Sequence, residues 1–329
     1  MKHLLNQLFD QQPLTQAEAR EAMLALGQGA ANPAETAAFL TVYRMRPITV
    51  AELGGFRAAL LDLCRDPELG TDELLDIVGT GGDGKDTLNI STLAGVVAAG
   101  AGVKVAKHGN FGVSSVCGSS DVLAYFGYDF QSTPAQMRAQ LDRAGLCFLH
   151  AAAFHPAMRH AAPVRRELGV RTFFNILGPL VNPARPRFQL AGVFSLELQR
   201  LYHYLLQQTN AEYAVVYALD GYDELSLTGA AKVVSRAGEQ LLTPAGLGLP
   251  LLTAADLAGG RTVAEAAGKF RDVLEGRATP AQRAAVTANA ALALRCARPT
   301  HDFATCLAAA EESLDSGRAR RAFALLLES

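Results

Sequence analysis

Four glycines fall within six residues, at positions 79–84 of the run VGTGGDGKDT, directly after the apolar segment LLDIV. Glycine in ordered backbone costs roughly 0.5–1 kcal/mol relative to alanine, so such a loop needs a reason. Either the chain turns sharply here, or another group comes very close to the backbone. A glycine-rich loop between a predicted strand and a predicted helix favours an anion site, because backbone N–H groups and the helix dipole face the loop. A tight turn without a ligand is the alternative.

Two nucleotide-binding motifs fit this loop only in part. Residues 79–84 match GxGxxG, but the second predicted strand ends in Lys107 and His108, where a dinucleotide site has an acid for the ribose hydroxyls. The loop through Lys85 also matches GxxxxGK, yet Asp86 stands where the Mg²⁺-binding Ser or Thr of a P-loop belongs. A cation at the end of the second strand suits a phosphate, so both nucleotide motifs are disfavoured.

Donor side chains follow both predicted strands. Thr87, Asn89, Ser91 and Thr92 lie within six residues at the start of an apolar helix, and a simple N-cap would need only one of them. The segment 107–121, KHGNFGVSSVCGSSD, supplies a second set of donors after the second strand. Two neighbouring donor-rich loops predict one anion site that is large enough for several phosphates.

An adjacent carboxylate pair, Asp223 and Glu224, follows the predicted strand at 214–219. Mg²⁺ prefers one or two carboxylates together with phosphate and water, so the pair is a candidate metal site. Taken alone, such a pair is more often a solvated acidic turn, and that alternative stays open on these residues.

Four arginines within thirteen residues offer fixed positive charge, with only Glu167 opposing them. An arginine binds a carboxylate through two hydrogen bonds and keeps its charge at any working pH. Such a cluster is ordinarily the exposed face of a helix. His155, before a proline at a helix start, is interpreted as a capping or packing residue and not as a catalytic one. The arginines are Arg159, Arg165, Arg166 and Arg171.

The sequence predicts that two domains position these residues. The first seventy residues have helical periodicity, with a capping box from Thr15 to Glu18. After residue 70, short apolar runs alternate with helical segments, which predicts an α/β fold with a mainly parallel central sheet flanked by helices. Ligands of such sheets bind beyond the carboxyl ends of the strands. We expect a helical domain at 1–70, joined by helices from about 155–180, and an α/β domain at 71–154 and 181–329.

Composition limits the classes of function. The 329 residues are half apolar and carry a net charge of −2 without a single-sign block, which argues against nucleic-acid binding. The five cysteines are odd in number and form no CxxC motif, so a reducing, cytoplasmic compartment is expected. We expect no signal peptide, because the run MKHLLNQLF is broken by Asn and Gln, and no membrane span.

Taken together and in order, the motifs resemble the anthranilate phosphoribosyltransferase family through nearly the whole chain. The resemblance implies a two-domain fold like that of nucleoside phosphorylases, and transfer of phosphoribosyl from phosphoribosyl pyrophosphate (PRPP) to anthranilate in tryptophan biosynthesis. It also implies Mg²⁺, with two ions per active site, and a homodimer formed through the helical domain. The motifs are DIVGTGGDGKDTLNIST at 76–92, KHGN at 107–110, SSxxGSxD at 114–121, HPAMRHAAPVRRELGVRT at 155–172, FNILGPLVNPA at 174–184 and DE at 223–224, with AFLTVYRMR at 38–46 in the helical domain.

The resemblance carries residue roles with it. Anthranilate contacts fall on Gly79, Asn110 and Arg165, and metal ligands on Ser91, Asp223 and Glu224. No side chain is assigned as a nucleophile or base, so catalysis is expected to come from positioning and electrostatics. PRPP contacts fall on Gly79, Gly82, Asp83, Thr87, Asn89, Ile90, Ser91, Thr92, Lys107, His108, Gly109, Asn110, Phe111, Gly112, Val113, Ser114, Ser115 and Ser119.

Two positions depart from the family pattern. Phe111 follows HGN where the family commonly has arginine, and Ser120 replaces the alanine of GSAD. The alternatives are therefore a related phosphoribosyltransferase or nucleoside phosphorylase with another acceptor, and a non-enzymatic paralogue that binds nucleic acid. The extended first motif disfavours the former, while the net charge and the carboxylate pair disfavour the latter. The sequence does not decide whether the chain works beside an anthranilate synthase amidotransferase subunit.

Overall fold

Helices and strands alternate along the chain after an all-helical start, in a computed structural model that describes residues 1–112 and 115–328. The helices are α1 (Lys2–Phe9), α2 (Gln16–Gly27), α3 (Pro33–Met45), α4 (Val50–Leu63), α5 (Ile90–Gly100), α6 (Ser119–Tyr125), α7 (Pro134–Ala144), α8 (Ala151–Phe154), α9 (Met158–Leu168), α10 (Leu196–Leu206), α11 (Val263–Leu274), α12 (Pro280–Ala297), α13 (Phe303–Asp315) and α14 (Arg318–Leu327). The strands are β1 (Leu75–Gly79), β2 (Val105–Gly109), β3 (Leu146–His150), β4 (Phe188–Gly192), β5 (Glu212–Ala218), β6 (Ala231–Ser235) and β7 (Gly238–Leu242).

The chain divides into two units, which we describe separately. The helical unit comprises Met1–Asp66 and Ala151–Pro183, and the α/β unit comprises Pro67–His150 and Ala184–Ser329. The predicted fold class, a mainly parallel sheet flanked by helices with a smaller helical domain, is confirmed. Among the described residues, none of the helices combines the length and the apolar character that crossing a membrane requires.

The helical unit is built on local start signals and an aromatic core. Thr15 caps α2 by accepting from the N–H of Glu18, whose side chain in turn accepts from the N–H of Thr15, so the predicted capping box is present. The rings of Phe56 and Phe173 stack with centroids 4.7 Å apart, and Phe39 and Tyr43 pack edge-on against both. These contacts join α3 and α4 to the segment after α9, which places the later helices in this unit.

The sheet of the α/β unit reverses its strand order beside β1. The spatial order is β3-β2-β1-β4-β5-β6-β7, and the first five strands in that order run parallel. The chain therefore moves outward from β1 through β2 to β3 and returns to the other side of β1 with β4. In open α/β sheets ligands bind at the carboxyl ends of the strands where the order reverses. Here that point is the end of β1 at Gly79, paired with Gly192 of β4.

Four strands, β3, β4, β6 and β7, were not predicted from the sequence. β6 and β7 form an antiparallel hairpin at the edge of the sheet, with β6 also antiparallel to β5. Residues 238–241 of β7 are all exposed, so the strand lacks the apolar alternation that identifies a half-buried strand. The hairpin extends the sheet on the side away from β2 and β3.

Candidate active site

The first loop begins where β1 ends, and close approach of another chain segment explains its first glycine. A Cβ atom at Gly79 would lie 2.4 Å from Oδ2 of Asp223, which no side chain could tolerate without a shift. The N–H of Gly81 donates to the same oxygen at 2.7 Å, with a backbone φ of +61° that favours glycine. The glycines thus serve both purposes considered above, a sharp turn and a close contact.

The same loop leaves polar groups available. No atom of residues 1–112 or 115–328 lies within 4 Å of a Cβ placed at Gly81 or Gly84, so the described structure leaves the space beside the loop backbone open there. Among the described residues, the hydroxyl of Thr80 is buried and has no hydrogen-bond partner. Buried polar atoms without partners are uncommon and suggest that a bound group completes their hydrogen bonding. Thr80 was not singled out from the sequence, although it lies within the glycine motif.

Among the described residues, no side chain caps the start of α5. A cap would have been the ordinary explanation of the polar residues there. Asn89 stands at the N-cap position but its amide donates to the carbonyl of Cys117 at 3.0 Å instead. The N–H of Ser91 donates to Oε1 of Glu224 at 3.3 Å. The first turn of α5 therefore directs its positive end toward the carboxylate pair and the glycine loop.

The second loop, after β2, lies against the first. The N–H of Val116 donates to Oδ1 of Asp86 at 3.1 Å, which adds to the bond from Asn89 to Cys117. Asp121 of α6 holds the second loop from within, because its Oδ2 accepts from the N–H groups of Gly112 and Gly118 at 2.7 and 2.8 Å. The structure brings together both predicted donor loops. Two predicted positions, Val113 and Ser114, lie outside the described residues.

Asp121 and Gly192 complete this arrangement and were missed as contributors. Asp121 lies two residues after Ser119 in GSSD, and an acid at the third position of a helix often accepts backbone N–H groups. A Cβ atom at Gly192 would lie 1.6 Å from the carbonyl oxygen of Asp223, so only glycine lets the acidic segment pass there. A glycine at the end of an apolar strand was the available signal for that close approach.

The acidic pair is buried. Asp223 and Glu224 are 7% and 9% exposed, which excludes the solvated turn considered from the sequence. Burial and the nearby charge of Asp83 raise the pKa of Asp223 to about 7, although the N–H of Gly81 opposes the shift. Burial and the charges of Asp223 and Asp83 raise the pKa of Glu224 well above its ordinary value. A bound cation would stabilise the ionised forms of these two buried carboxylates.

Lys107 is the cation that the chain itself places beside this pair. It is 3% exposed, and its ammonium donates to the carbonyl of Ile77 and, at 3.4 Å, to the hydroxyl of Ser91. Burial lowers the pKa of Lys107 to about 8, against the charges of Asp76, Glu224 and Asp223, which favour the ammonium form. Lys107 therefore lies beneath the predicted anion site and its charge is not directed into open solvent.

The carboxylate pair fits a divalent ion whose other ligands are water and substrate phosphates. Among the described residues, no group of three or more His, Cys, Asp and Glu side chains is arranged to hold a metal ion. The pair Asp223 and Glu224 alone matches the mode in which Mg²⁺ keeps several waters and is held by one or two carboxylates with substrate phosphates. A cation at Ser91 has less support, because the Lys107 ammonium lies 3.4 Å from that hydroxyl and would repel it.

Besides Lys107, three of the predicted PRPP positions have buried side chains. Ile90, Thr92 and His108 are 0%, 3% and 3% exposed. A ligand could meet these positions only through backbone groups, such as the N–H groups of the first turn of α5. By contrast, Asn110, Phe111, Gly112 and Ser115 are exposed.

Arg165 belongs to the helical unit, where it lies on α9. Its guanidinium stands 4.9 Å from the ring centroid of Phe174, and partial burial lowers its pKa. Within the described part of the chain no carboxylate forms an ion pair with it. A half-buried guanidinium that is stacked on a ring and lacks an acidic partner is suited to an external carboxylate.

His155 has a packing role. It is 4% exposed, and its Nε2 lies 2.9 Å from the carbonyl oxygen of Val181, which makes that nitrogen the donor. Burial lowers the pKa of His155 to about 4, so the ring is neutral at physiological pH. The expectation that it is a packing residue agrees with this environment.

Comparison with known proteins identifies both units. A family model described as "Glycosyl transferase family, a/b domain" matches residues 71–320, and one described as "Glycosyl transferase family, helical bundle domain" matches residues 2–64. The anthranilate phosphoribosyltransferase of Cytophaga hutchinsonii is 54% identical over 323 residues, which cover 98% of each chain.

Solved structures agree with this assignment. The anthranilate phosphoribosyltransferase of Thermus thermophilus superposes with a TM-score of 0.91 at 39% identity, covering 98% of this chain and 96% of that one. The enzyme of Saccharomyces cerevisiae in complex with PRPP and Mg gives a TM-score of 0.90 at 27% identity, with the same coverage. The resemblance inferred from the motifs is confirmed, and the chain belongs to the anthranilate phosphoribosyltransferase family.

Proposed function

We propose that this chain transfers the phosphoribosyl group of PRPP to the amine of anthranilate, releasing pyrophosphate and forming N-(5-phosphoribosyl)anthranilate. The observation that carries the proposal is the pair of linked donor loops at the reversal point of the sheet, with two buried carboxylates against them. PRPP has a phosphate and a pyrophosphate on one ribose, so it needs donors spread over both loops. A related phosphorylase would need fewer anion contacts.

The chain's own groups would bind PRPP through backbone N–H groups, hydroxyls and the positive end of α5. Loop residues 79–87 and the first turn of α5 supply one set of donors, and residues 107–112 with Ser115 and Ser119 supply the other. The open space beside Gly81 and the partnerless hydroxyl of Thr80 support ligand contact at the first loop. Val113 and Ser114 remain proposed PRPP contacts on the strength of the resemblance.

Asp223 and Glu224 would hold Mg²⁺, which neutralises the charge of the departing pyrophosphate when it is bound. A second ion at Ser91 remains a proposal from the resemblance. The neighbouring N–H groups of Gly81 and Ser91 orient the two carboxylates, since each donates to one of them. The protein therefore presents acceptor oxygens in fixed positions before any ligand binds.

Arg165 would bind the carboxylate of anthranilate, with Gly79 and Asn110 as further proposed acceptor contacts. A bidentate pair with the guanidinium fixes the plane of the aromatic acid and thereby aims its amine. That amine has an unprotonated lone pair at neutral pH, so no general base is required. The chain contributes orientation and fixed dipoles to the reaction, and no covalent intermediate.

The activity is tested by following the fluorescence of anthranilate with the purified protein. We expect anthranilate to be consumed only when PRPP and Mg²⁺ are both present, because the buried carboxylates need a cation to receive a polyanion. Omission of PRPP and addition of EDTA are the controls. Equal turnover in EDTA, or no consumption under any condition, would contradict the proposal.

Metal binding can also be followed without turnover, through stability. Asp223 has a pKa of about 7 in the folded state against an ordinary 3.8, so the folded protein binds more protons between those values and loses stability as the pH rises through that window. Lys107, with its pKa lowered from 10.5 to about 8, restores stability only as the pH rises from about 8 to 10.5. The metal-free protein should therefore be least stable near pH 7–8.

Mg²⁺ should relieve this destabilisation. Because the carboxylates bind metal when ionised, we expect Mg²⁺ to raise the melting temperature at pH 8 by about 2 °C or more beyond its effect at pH 5. Thermal unfolding with and without Mg²⁺ at both pH values measures the difference. Asp223→Asn is the matched variant and should abolish it. An equal Mg²⁺ effect at both pH values would show that the ion binds elsewhere.

We also propose a homodimer formed through the helical unit and a cytoplasmic location. Phe9 and Met45, which are 55% and 80% exposed on that unit, support the first, because large apolar side chains in water favour association. All five cysteines are free thiols, which agrees with a reducing compartment. A monomer mass in sedimentation experiments would contradict the dimer.

A further inference from the structure

His150, the last residue of β3, lies between Phe111 of the second loop and Phe130, which precedes α7. Its ring centroid is 5.0 Å from that of Phe111 and 4.8 Å from that of Phe130. Its Nδ1 is 3.0 Å from the hydroxyl of Ser120, at the start of α6. Ser120 is fully buried and His150 is 8% exposed, so this hydrogen bond is shielded from water.

Two of the contacted residues, Phe111 and Ser120, bond directly to Asn110, a predicted PRPP contact. Phe111 lies between Asn110 and Gly112, and its N–H donates to Oδ1 of Asn110 at 2.9 Å. The N–H of Ser120 donates to the backbone carbonyl of Asn110 at 3.1 Å. His150 therefore contacts both the second loop and α6, and the residues that it contacts there, Phe111 and Ser120, both bond Asn110.

The imidazole acts here as a neutral group. Burial lowers the pKa of His150, so it does not supply the positive charge that the family commonly has at position 111. Phe111 is 45% exposed, and its ring makes T-shaped contacts with His150 and Phe130. Phe111 and Ser120, the two departures from the family pattern, thus contact the same side chain.

We propose that His150 is a positioning residue for the second loop. The imidazole holds Asn110 in place because it hydrogen-bonds to Ser120 and packs against Phe111. The inference rests on the proposed function, since it assigns the loop to PRPP. It predicts that disturbing His150 weakens PRPP binding most, affects anthranilate less through Asn110, and leaves the chemical step nearly unchanged.

The test compares His150→Phe, Ser120→Ala and the double variant in steady-state kinetics. His150→Phe keeps an aromatic ring and removes the hydrogen bond, while Ser120→Ala removes the same bond from the other side. We expect each to raise the KM for PRPP by about three- to tenfold, with a smaller rise in the KM for anthranilate, because Asn110 is also a proposed acceptor contact, and with kcat changed less than about twofold. The double variant should be no worse than the more affected single variant, because both remove one interaction.

Tyr128→Phe is the matched control. It removes a buried hydroxyl that bonds Gln140 in the same aromatic cluster, without touching the loop, and should leave the KM for PRPP unchanged. Unchanged PRPP values in both His150→Phe and Ser120→Ala, or additive losses in the double variant, would overturn the proposal. If the wild-type protein does not consume anthranilate, the proposed function fails, and calorimetric titration of the same variants with PRPP still decides the inference.

Discussion

Arg165→Ala is expected to raise the KM for anthranilate by at least about tenfold, with a much smaller change in the KM for PRPP. Loss of a charge-assisted hydrogen bond costs about 1.5–3 kcal/mol, and each 1.4 kcal/mol corresponds to about tenfold in affinity. The guanidinium is stacked on Phe174, is partly buried and has no acidic partner among the described residues, so an external carboxylate is the anion that it lacks. Steady-state kinetics with each substrate varied in turn measures both constants.

Two further variants separate the role of the guanidinium from a general effect on α9. Arg166→Ala removes the same charge from the exposed neighbouring position and should leave the KM for anthranilate nearly unchanged. Arg165→Lys keeps the charge but loses the planar fork, so its KM should lie between those of the wild type and Arg165→Ala. A larger change in the PRPP constant than in the anthranilate constant would assign Arg165 to the other substrate.

Local interactions made much of the fold predictable. The capping box at Thr15 and Glu18, the strand at LLDIV and the helix after the glycine loop depend on neighbours in the sequence, and all three are present. The hairpin of β6 and β7 was missed, and its exposed strand β7 carries no apolar alternation. Of the five parallel strands, β1, β2 and β5 were predicted from their apolar runs, whereas β3 and β4 were not.

The environment of the site depends on contacts between distant residues, which local patterns do not contain. Asp223 and Glu224 were recognised as candidates. Their environment, however, is formed by distant residues: the N–H groups of Gly81 and Ser91 donate to them, and Asp223 packs closely against Gly192. The contact of Phe111 with His150 likewise requires that β2 and β3 be neighbours in the sheet. Residue types can indicate chemistry, whereas the raised pKa values arise only when the chain folds.

Lys107→Ala is expected to weaken the use of PRPP by about tenfold or more, roughly 1.4 kcal/mol upward. The Lys107 ammonium lies 3.4 Å from the hydroxyl of Ser91, beneath the proposed PRPP site. In general, two unit charges about 8 Å apart interact by about 2 kcal/mol at an effective dielectric constant of about 20. Removing it leaves Asp76, Asp223 and Glu224 without that nearby positive charge, so a polyanion meets a more negative surface.

Truncation of a buried side chain also leaves a cavity, so the electrostatic effect needs a variant of similar volume. Lys107→Met keeps most of the side chain and removes the charge, and it should reproduce the loss in PRPP use. Lys104→Ala, which removes an exposed lysine paired with Asp142, is the matched control and should change the KM for PRPP little. Thermal unfolding of all three variants shows whether the kinetic change exceeds any loss of stability.

The comparison with Phe111→Ala decides which residue carries the anion-binding role at the second loop. Phe111 is 45% exposed and offers no charge, and its contacts hold the loop through His150, so Phe111→Ala should raise the KM for PRPP by only about threefold. Lys107 contacts Ser91 and lies near the carboxylate pair, so its charge would act on bound phosphates from beneath the proposed site. A larger PRPP effect in Phe111→Ala than in Lys107→Met would show that the loop contact, and not the buried ammonium, governs PRPP binding.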